Sequence, residues 1–344
     1  MSDKVRNMNP ESRAETEGEG KGADWPFRGV CLGVPKQKDM EVFERLIAEV
    51  LPSYKCNTLV LLTRYRYQFE SHPQVADREP LTPAQAAEIG TLCRQNNVRI
   101  IPKMNLLGHQ SGRSEGSELG LLRAYPEFDE TPDLPEVRYC RSICPRHPQV
   151  KEVVFDLADE LIDAFEADAI HVGLDEVFEI GKCPRCKGTP NSELFAEWVN
   201  DLHRHLVDEK KVEMLMWGDR LLDSDSTGYG EWEASANDTW AMIDSIPKDI
   251  IMCDWHYGER DSYTSIPFFA SKGLRLVVCP WRNLKATEAL LRYASDNRTE
   301  KLLGVLQTSW CDSGMVARYL CNVGNEIEDT PKLVGDSFEL AMTL

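Results

Sequence analysis

The sequence predicts a single-domain α/β fold, a (β/α)8 TIM barrel. Eight short apolar runs, rich in β-branched residues, recur along the 344 residues, and helical patterns lie between them. Each run is continuously apolar, which is typical of strands buried on both faces of a parallel sheet. Eight such strands alternating with helices favour one closed barrel, which typically needs about 250 residues, over two separate domains.

The predicted strands follow one another at intervals that leave room for a helix after each. They span residues 28–34, 58–62, 98–102, 169–172, 213–217, 250–253, 274–278 and 304–308. A doubly wound open sheet is the alternative architecture. The turn after the first strand lacks the glycine-rich signature of a dinucleotide-binding sheet, so the barrel is favoured.

The predicted helices show apolar residues at a spacing near 3.6. They span residues 38–51, 82–96, 150–165, 192–207, 238–246, 264–272 and 287–295. In the first pattern Met40, Phe43 and Ile47 share one face. At the start of the second, Thr82 is a good N-cap and Pro83 suits the first turn, where an N–H would have no helical partner.

The domain organisation follows from where these patterns begin and end. We predict a disordered leader over residues 1–24, the barrel domain over 25–330 and a C-terminal tail over 331–344. The leader is charged from its third residue and has no apolar stretch, so it is not a signal peptide. Eleven cysteines in a large chain with no export signal predict reduced thiols and a cytoplasmic protein.

The charge balance excludes some classes of partner. The chain carries 39 Lys and Arg against 57 Asp and Glu, a net charge of −18. Such a chain repels phosphate backbones, which predicts no nucleic-acid partner. No stretch approaches the roughly 20 apolar residues that span a bilayer, which predicts no membrane partner. An uncharged or cationic small molecule is the favoured substrate, and the sequence assigns no oligomeric state.

Four tryptophans follow four consecutive predicted strands, at Trp217, Trp255, Trp281 and Trp310. In a barrel of this kind the active site forms at the carboxyl ends of the strands. A ring of indoles there would make apolar walls on which the C–H faces of sugar rings stack. For any one tryptophan, packing between barrel and helices is the alternative, but their shared position favours a pocket.

Adjacent carboxylates follow the fourth strand, at Asp175 and Glu176. Near an apolar pocket they would titrate as a coupled pair, and desolvation and like-charge repulsion would raise the pKa of one of them. A carboxylic acid that stays protonated near neutral pH is a general acid, which glycosidic bond cleavage requires. A solvated surface pair is the alternative interpretation.

Residues 171–176 read His-Val-Gly-Leu-Asp-Glu, which resembles the H-x-G-x-D-E motif of family 20 glycoside hydrolases, the β-N-acetylhexosaminidases. The hexosaminidase D branch is the most similar. The similarity spans about residues 25–315 and so covers the barrel. Weaker segments agree in order: Arg28-Gly29, Ile101-Pro102, Gly108-His109, residues 217–219, residues 254–258 and residues 308–310.

This resemblance implies an exo-acting glycosidase that uses a substrate-assisted retaining mechanism. The family has no enzymic nucleophile, and the 2-acetamido carbonyl of the substrate attacks the anomeric carbon. By similarity, Glu176 would be the general acid and base, and Asp175 would orient the acetamido group. The resemblance also implies substrate-binding residues, namely Arg28 and Asp312 for hydroxyls, His109 as support for the acid, and Trp217, Trp255 and Trp310 as a box around the sugar.

One position departs from the family pattern. The family carries a tyrosine after strand seven that hydrogen-bonds the acetamido carbonyl, and here that stretch contains Trp281 and no tyrosine. The indole N–H of Trp281 or the hydroxyl of Tyr257 would have to replace it. The alternative function is therefore a non-catalytic sugar-binding barrel, or a glycosidase of altered specificity. A metal-dependent hydrolase is disfavoured, because no histidines show ligand spacing at a strand end.

The cysteines suggest a separate site. Cys183 and Cys186 form a CxxC in the loop after strand four, and Cys140 and Cys144 form a CxxxC in the preceding long loop. Adjacent loops would bring the two pairs together as a four-thiolate structural zinc site that pins the loop carrying the acid. Paired or isolated buried thiols are the alternative, and catalysis itself is predicted to need no cofactor.

Overall fold

The computed structural model describes residues 24–324 and 327–344. Eight parallel strands close into a barrel in sequence order, with β1 paired to β8. The predicted (β/α)8 fold is confirmed. The strands are β1 Phe27–Gly33, β2 Thr58–Leu62, β3 Arg99–Lys103, β4 Ala169–His171, β5 Glu213–Trp217, β6 Ile251–Trp255, β7 Arg275–Cys279 and β8 Leu302–Thr308.

The strand boundaries lie within two residues of those predicted, and β2 and β5 coincide with the prediction. The middle of each strand is marked by its apolar run. Its ends depend on how far the neighbouring strands continue the ladder, which no single run encodes. The β3–β4 pairing shows this, because it is limited to Lys103 opposite His171.

The longer helices cover the outside of the barrel. They are α1 Met40–Arg45, α2 Pro83–Gln95, α3 Val150–Phe165, α4 Asn191–His203, α5 Ser265–Ser271, α6 Leu284–Asp296, α7 Ser313–Leu320 and α8 Asp329–Thr343. The predicted first and fourth patterns are completed by π-helical turns, Leu46–Val50 and Arg204–Glu209. Between β5 and β6, a 3₁₀ helix over Thr239–Ser245 stands where a helical pattern was predicted.

The side chains of the strands divide into two buried clusters. One lies in the barrel interior and takes alternate residues of each strand, such as Leu215 and Trp217 on β5 or Ile251 and Cys253 on β6. The other lies between the strands and the helices and includes Met214 and the inner faces of the helices. Both faces of each strand are therefore buried, which explains why the apolar runs are continuous.

The C-terminal stretch predicted as a tail, residues 331–344, lies almost entirely within α8. That helix packs against α6, α7 and β8, and it buries Val334, Phe338 and Met342. The predicted leader, residues 1–24, lies outside the described residues except for Asp24. No helix in the described ranges has both the length and the apolar character needed to cross a membrane.

Candidate active site

A cavity of about 400 Å³ opens at the carboxyl end of the barrel. Strands β3, β5 and β6 end in residues that line it, Lys103, Trp217 and Trp255. Strand ends of a parallel barrel converge on one face, so residues far apart in sequence meet there. Eight of the ten residues predicted for catalysis and substrate binding line the cavity: His109, Asp175, Glu176, Trp217, Trp255, Tyr257, Trp281 and Trp310.

Asp175 and Glu176 both face this cavity, although they are adjacent in sequence. In an extended strand, neighbouring side chains point to opposite faces. Beyond β4, left-handed backbone conformations at Leu174 (φ 71°) and Glu176 (φ 50°) break that alternation. Gly173 allows this turn, because its φ is 75° and a Cβ there would lie 2.5 Å from Asn105 Oδ1.

His109 stands beside both carboxylates. Its Nε2 lies 3.0 Å from Glu176 Oε2, a hydrogen-bond distance, and its Nδ1 lies 3.6 Å from Asp175 Oδ1. A ring nitrogen and one oxygen of each carboxylate all lie within 4.8 Å of one another. Among the described residues, the buried Asp175 Oδ1 has no hydrogen-bond partner. That oxygen is therefore available to a polar group entering the cavity.

The electrostatics of this trio favour a protonated acid. Burial raises the pKa of Glu176; the hydrogen bond from His109 opposes the rise and the charge of Asp175 adds to it, with a raised pKa as the net result. Burial lowers the pKa of His109, but Asp175 and Glu176 outweigh burial, so its pKa is raised. His109 and Glu176 are thus close enough for each to change the pKa of the other.

Asp219, just beyond β5, connects the acid to the aromatic wall. Its Oδ2 accepts a hydrogen bond from the backbone N–H of Glu176 (3.0 Å), and its Oδ1 accepts one from Trp255 Nε1 (3.2 Å). The buried Arg220 pairs with the same carboxylate at 2.6 Å. One side chain thus fixes both the left-handed backbone of Glu176 and the orientation of one indole.

Indole rings form the walls of the cavity, as the sequence predicts. Trp217 and Trp310 lie with ring centroids 5.8 Å apart, and Tyr257 lies between Trp255 (4.9 Å) and Trp281 (5.3 Å). These rings enclose a space with an apolar lining and carboxylates at one side. Such a lining suits a ligand with flat apolar faces and polar edges, which is the character of a sugar ring.

The Tyr257 hydroxyl and the Trp281 indole N–H are two of the hydrogen-bond donors that line this box. Trp310 Nε1 donates to the Tyr257 hydroxyl at 2.7 Å, and the Thr308 hydroxyl has a better acceptor in Pro280 O (2.7 Å) than in Tyr257 (3.4 Å). The Tyr257 hydroxyl therefore accepts from one side and keeps its own proton to donate. Within the described ranges, the buried Trp281 Nε1 has no acceptor.

Five residues of the lining were not predicted: Arg64, Lys103, Asn105, Tyr139 and Trp232. Lys103 is fully buried, bonds Asn105 Oδ1 at 2.7 Å, and lies over the Trp217 and Trp310 rings. A lysine that ends an apolar strand is a signal that could have identified it. Tyr139 comes from the long loop after β3, and Trp232 comes from a single helical turn, Gly230–Glu233, between β5 and β6. Neither segment has a periodic pattern that indicates direction.

Comparison with known proteins identifies the family. The family described as "Glycosyl hydrolase family 20, catalytic domain" matches residues 37–313, most of the chain. The chain belongs to this family. The resemblance seen in residues 171–176 is thereby confirmed at the level of the family, and the hexosaminidase D branch stays a prediction.

The family 20 chain is similar to several known proteins. A β-hexosaminidase of Akkermansia muciniphila is 29% identical over 117 residues, which cover 31% of this chain and 22% of that protein. The solved chitobiase of Flavobacterium johnsoniae aligns with a TM-score of 0.67 and 17% identity, over 92% of this chain and 48% of that one. An exo-β-N-acetylglucosaminidase of Vibrio harveyi, solved with N-acetylglucosamine, aligns with a TM-score of 0.65 and 17% identity, over 92% of this chain and 54% of that one. This chain therefore spans about half or less of these relatives, and the structural likenesses concern the fold.

Arg28 does not line the cavity. The structure therefore corrects the prediction that Arg28 binds substrate hydroxyls. It is the second residue of β1, at the amino end of the barrel. Its guanidinium donates to the backbone carbonyls of Lys55, Tyr54 and Met342. Strand polarity is the reason, because only the carboxyl end of a strand reaches the site.

Asp312 also lies outside the cavity. It lines a neighbouring groove, where its Oδ2 pairs with Lys36 at 2.6 Å. Its Oδ1 caps α7 by accepting from the N–H groups of Gly314 and Met315. Both oxygens therefore have protein partners, and the predicted contact with substrate hydroxyls is not carried forward.

The predicted four-thiolate set is wrong in one member. Cys144, Cys183 and Cys186 meet, but the fourth residue within reach is Glu130. Cys140 instead lies beside the candidate active site, where its Sγ accepts a hydrogen bond from the backbone N–H of His109 at 3.3 Å. All eleven cysteines are free.

Proposed function

We propose that this chain is an exo-acting β-N-acetylhexosaminidase with a substrate-assisted retaining mechanism. The observation that carries the proposal is the trio of Asp175, Glu176 and His109 at one side of an indole-lined cavity. Family membership supports it, and so do the activities of the Akkermansia and Vibrio relatives. The substrate class is a terminal β-linked N-acetylhexosamine.

In the first step, the acetamido carbonyl oxygen of the substrate attacks its own anomeric carbon. Glu176 gives its proton to the glycosidic oxygen as the bond to the leaving alcohol breaks. The raised pKa of Glu176 favours the protonated form that a general acid needs. Asp175, whose buried Oδ1 has no hydrogen-bond partner among the described residues, accepts the acetamido N–H and stabilises the cyclic oxazolinium cation.

In the second step, Glu176, now a carboxylate, takes a proton from water as the water oxygen attacks the anomeric carbon. The oxazolinium ring opens, the acetamido group is restored, and the sugar leaves with its original configuration. His109 stays within hydrogen-bond distance of Glu176, whose carboxyl is neutral before the first step and negatively charged between the two steps. The Tyr257 hydroxyl supplies the donor to the acetamido carbonyl that the family places after strand seven.

Chromogenic substrates test this proposal. We expect turnover of aryl N-acetyl-β-glucosaminide or N-acetyl-β-galactosaminide, and none of aryl β-glucoside, which lacks the attacking carbonyl. Glu176→Gln should lower kcat by about 10² to 10⁴-fold, because it removes the proton donor. The matched control is Glu193→Gln, the same change at a half-exposed site paired with Arg146. We expect it to keep wild-type activity.

The opposite outcomes are equally clear. A wild-type protein that binds N-acetylhexosamine but turns over none of these substrates would favour the sugar-binding barrel. Equal turnover of the β-glucoside would exclude participation of the acetamido group. A thiazoline analogue of the cyclic intermediate should inhibit competitively if the mechanism is right.

A further inference from the structure

Three thiols converge from the loops that follow β3 and β4. Cys144 Sγ lies 3.3 Å from Cys183 Sγ and 3.6 Å from Cys186 Sγ. Cys144 lies in the long loop after β3, whereas Cys183 and Cys186 lie in the loop after β4. All three side chains are buried, with at most 3% of their surface exposed. The cluster takes no part in the proposed glycosidase chemistry.

A buried carboxylate completes this cluster. Glu130 is 0% exposed, and its Oε1 accepts hydrogen bonds from the backbone N–H groups of Lys182 (2.8 Å) and Cys183 (3.4 Å). Among the described residues, its Oε2 is buried and has no hydrogen-bond partner. One donor atom from Glu130 and each of the three sulfurs lie within 4.8 Å of one another. A buried carboxylate oxygen without a protein partner is rare and indicates a ligand.

The spacing of the sulfurs distinguishes a metal site from a disulfide. A disulfide requires sulfurs about 2.05 Å apart. Tetrahedral coordination at a Zn–S distance of about 2.3 Å places sulfurs roughly 3.8 Å apart. The observed 3.3 and 3.6 Å lie near the tetrahedral value. Three sulfurs and one oxygen are also the number of ligands of a closed structural zinc site.

The local backbone around two of the sulfurs forms a tight turn. Within the Cys183–Pro184–Arg185–Cys186 segment, the N–H of Cys186 and that of Lys187 both bond Cys183 O, which closes a tight turn. The backbone N–H groups of Lys182 and Cys183 donate to Glu130 Oε1 at 2.8 and 3.4 Å. Such outer hydrogen bonds orient ligating atoms and compensate their negative charge.

We propose that Cys144, Cys183, Cys186 and Glu130 bind one structural Zn²⁺. The soft thiolates select zinc over magnesium or calcium, and four protein ligands leave no open position for catalysis. The ion ties the loop after β3 to the loop after β4. Those two loops carry His109 and the Asp175–Glu176 pair, so the metal stabilises the frame of the cavity without touching substrate. This site does not depend on the proposed glycosidase activity.

The wild-type protein provides the first test. Purified with a reducing agent and dialysed against a trace of Zn²⁺, the full chain should retain about one zinc per chain by elemental mass spectrometry. Cobalt exchanged into the site should give thiolate-to-cobalt charge-transfer absorption and the visible bands of tetrahedral Co²⁺. X-ray absorption should fit three sulfurs at about 2.3 Å and one oxygen at about 2.0 Å.

Variants then separate the ligands from neighbouring thiols. Cys186→Ser should abolish stoichiometric zinc, and Glu130→Gln should raise the Kd measured against a competing chelator by at least about tenfold. Cys140→Ser is the matched control, because Cys140 is equally buried in the same loop but lies outside the cluster. It should retain zinc in full. Circular dichroism reports whether each variant is folded.

Four results would overturn the proposal. They are less than about 0.1 zinc per wild-type chain after reconstitution, a fit with four sulfurs, loss of zinc in Cys140→Ser but not in Glu130→Gln, or a disulfide between Cys144 and Cys183 in the reduced preparation. The wild-type measurements stand even where a ligand variant fails to fold. None of them uses glycosidase activity, so failure of this proposal and failure of the proposed function are distinguishable.

Discussion

At Glu176 a left-handed backbone and a partly buried carboxyl occur in the same residue. For a residue with a side chain, that conformation costs on the order of 1–3 kcal/mol and persists only where its surroundings impose it. Asp219 imposes it here, because its carboxylate accepts the Glu176 N–H and is itself held by Arg220. His109 and Arg64, which also line the cavity, have left-handed backbones too. Three residues that line the cavity therefore have left-handed backbones, although such residues also occur elsewhere, as at Lys55 and Asn97.

The His109→Asn variant tests how His109 affects the pKa of Glu176. His109 lowers the pKa of Glu176, so its removal raises that pKa further. Activity falls as pH rises through the pKa of a general acid, so we expect the alkaline limb of the kcat/KM profile to move to higher pH. Asparagine tolerates the φ of 57° at this position.

The control for this shift is His205→Asn. His205 stacks on Phe155 and pairs with Asp159 on the outside of the barrel, away from the cavity. Its profile should match that of the wild type. An alkaline limb that stays in place or moves to lower pH in His109→Asn would contradict the assignment.

The Tyr257→Phe variant tests the donor to the acetamido carbonyl. Loss of one hydrogen bond made in the transition state should lower kcat by about tenfold with little change in KM. Trp281→Phe is the comparison, since its buried indole N–H also lacks an acceptor among the described residues. A larger fall in kcat for Trp281→Phe than for Tyr257→Phe would reassign the donor to Trp281.

Individual helices owe their boundaries to local chemistry. At the start of α2, Thr82 Oγ1 accepts from the N–H of Gln85 (3.2 Å), and Gln85 Oε1 accepts from the N–H of Thr82 (3.0 Å). This reciprocal capping pairs two N–H groups that the helix itself leaves free. Other helices use other caps, such as the Asn283 side chain at α6. These signals lie within four residues and could be recognised in the sequence.

Thr82→Ala should lower the free energy of unfolding by about 1 kcal/mol, because it removes the hydroxyl that accepts from the N–H of Gln85. Chemical denaturation measures it. Thr91→Ala, in the exposed interior of the same helix, is the control and should be neutral or slightly stabilising, since alanine is the better helix former. Equal destabilisation by both variants would mean that the cap contributes nothing specific.

The long connections between strands and helices carry no local signal that predicts which of their residues reach the cavity. Tyr139 and Trp232 meet at the mouth of the cavity with ring centroids 5.1 Å apart, yet they are far apart in sequence and follow different strands. Both are partly exposed, Trp232 by 43%. No hydrophobic period indicates which way such loop residues point. Their contribution to the site arises from how the loops fold over the barrel face.

At the scale of the whole molecule, the C-terminal helix covers the junction at which the barrel closes. Strand β1 pairs with β8, and α8 packs on β8 and on the two preceding helices. Met342 near the end of α8 also accepts a hydrogen bond from Arg28 of β1. Arg28 thus connects the first strand to the last helix, which is a structural role at the end of the barrel opposite to the cavity.

Phe338→Ala tests how much this helix stabilises the fold. The side chain is fully buried, and its truncation should cost about 3–5 kcal/mol of unfolding free energy. Leu333→Ala on the same helix is the control, because Leu333 is 38% exposed and should cost far less. Thermal denaturation compares them, and similar losses in both variants would show that α8 is not part of the cooperative core.

The sequence by itself determined the barrel, its strand order and the convergence of the tryptophans and the acid pair. Continuous apolar runs report burial on both faces, and strand ends in a parallel barrel meet on one side. The tertiary structure alone decided the contacts between loops and between ends of the chain. It placed Glu130 beside the three thiols, Lys103 over the Trp217 ring and Arg28 at the end of the barrel opposite to the cavity. Such contacts depend on backbone direction and on long-range packing, which no local pattern encodes.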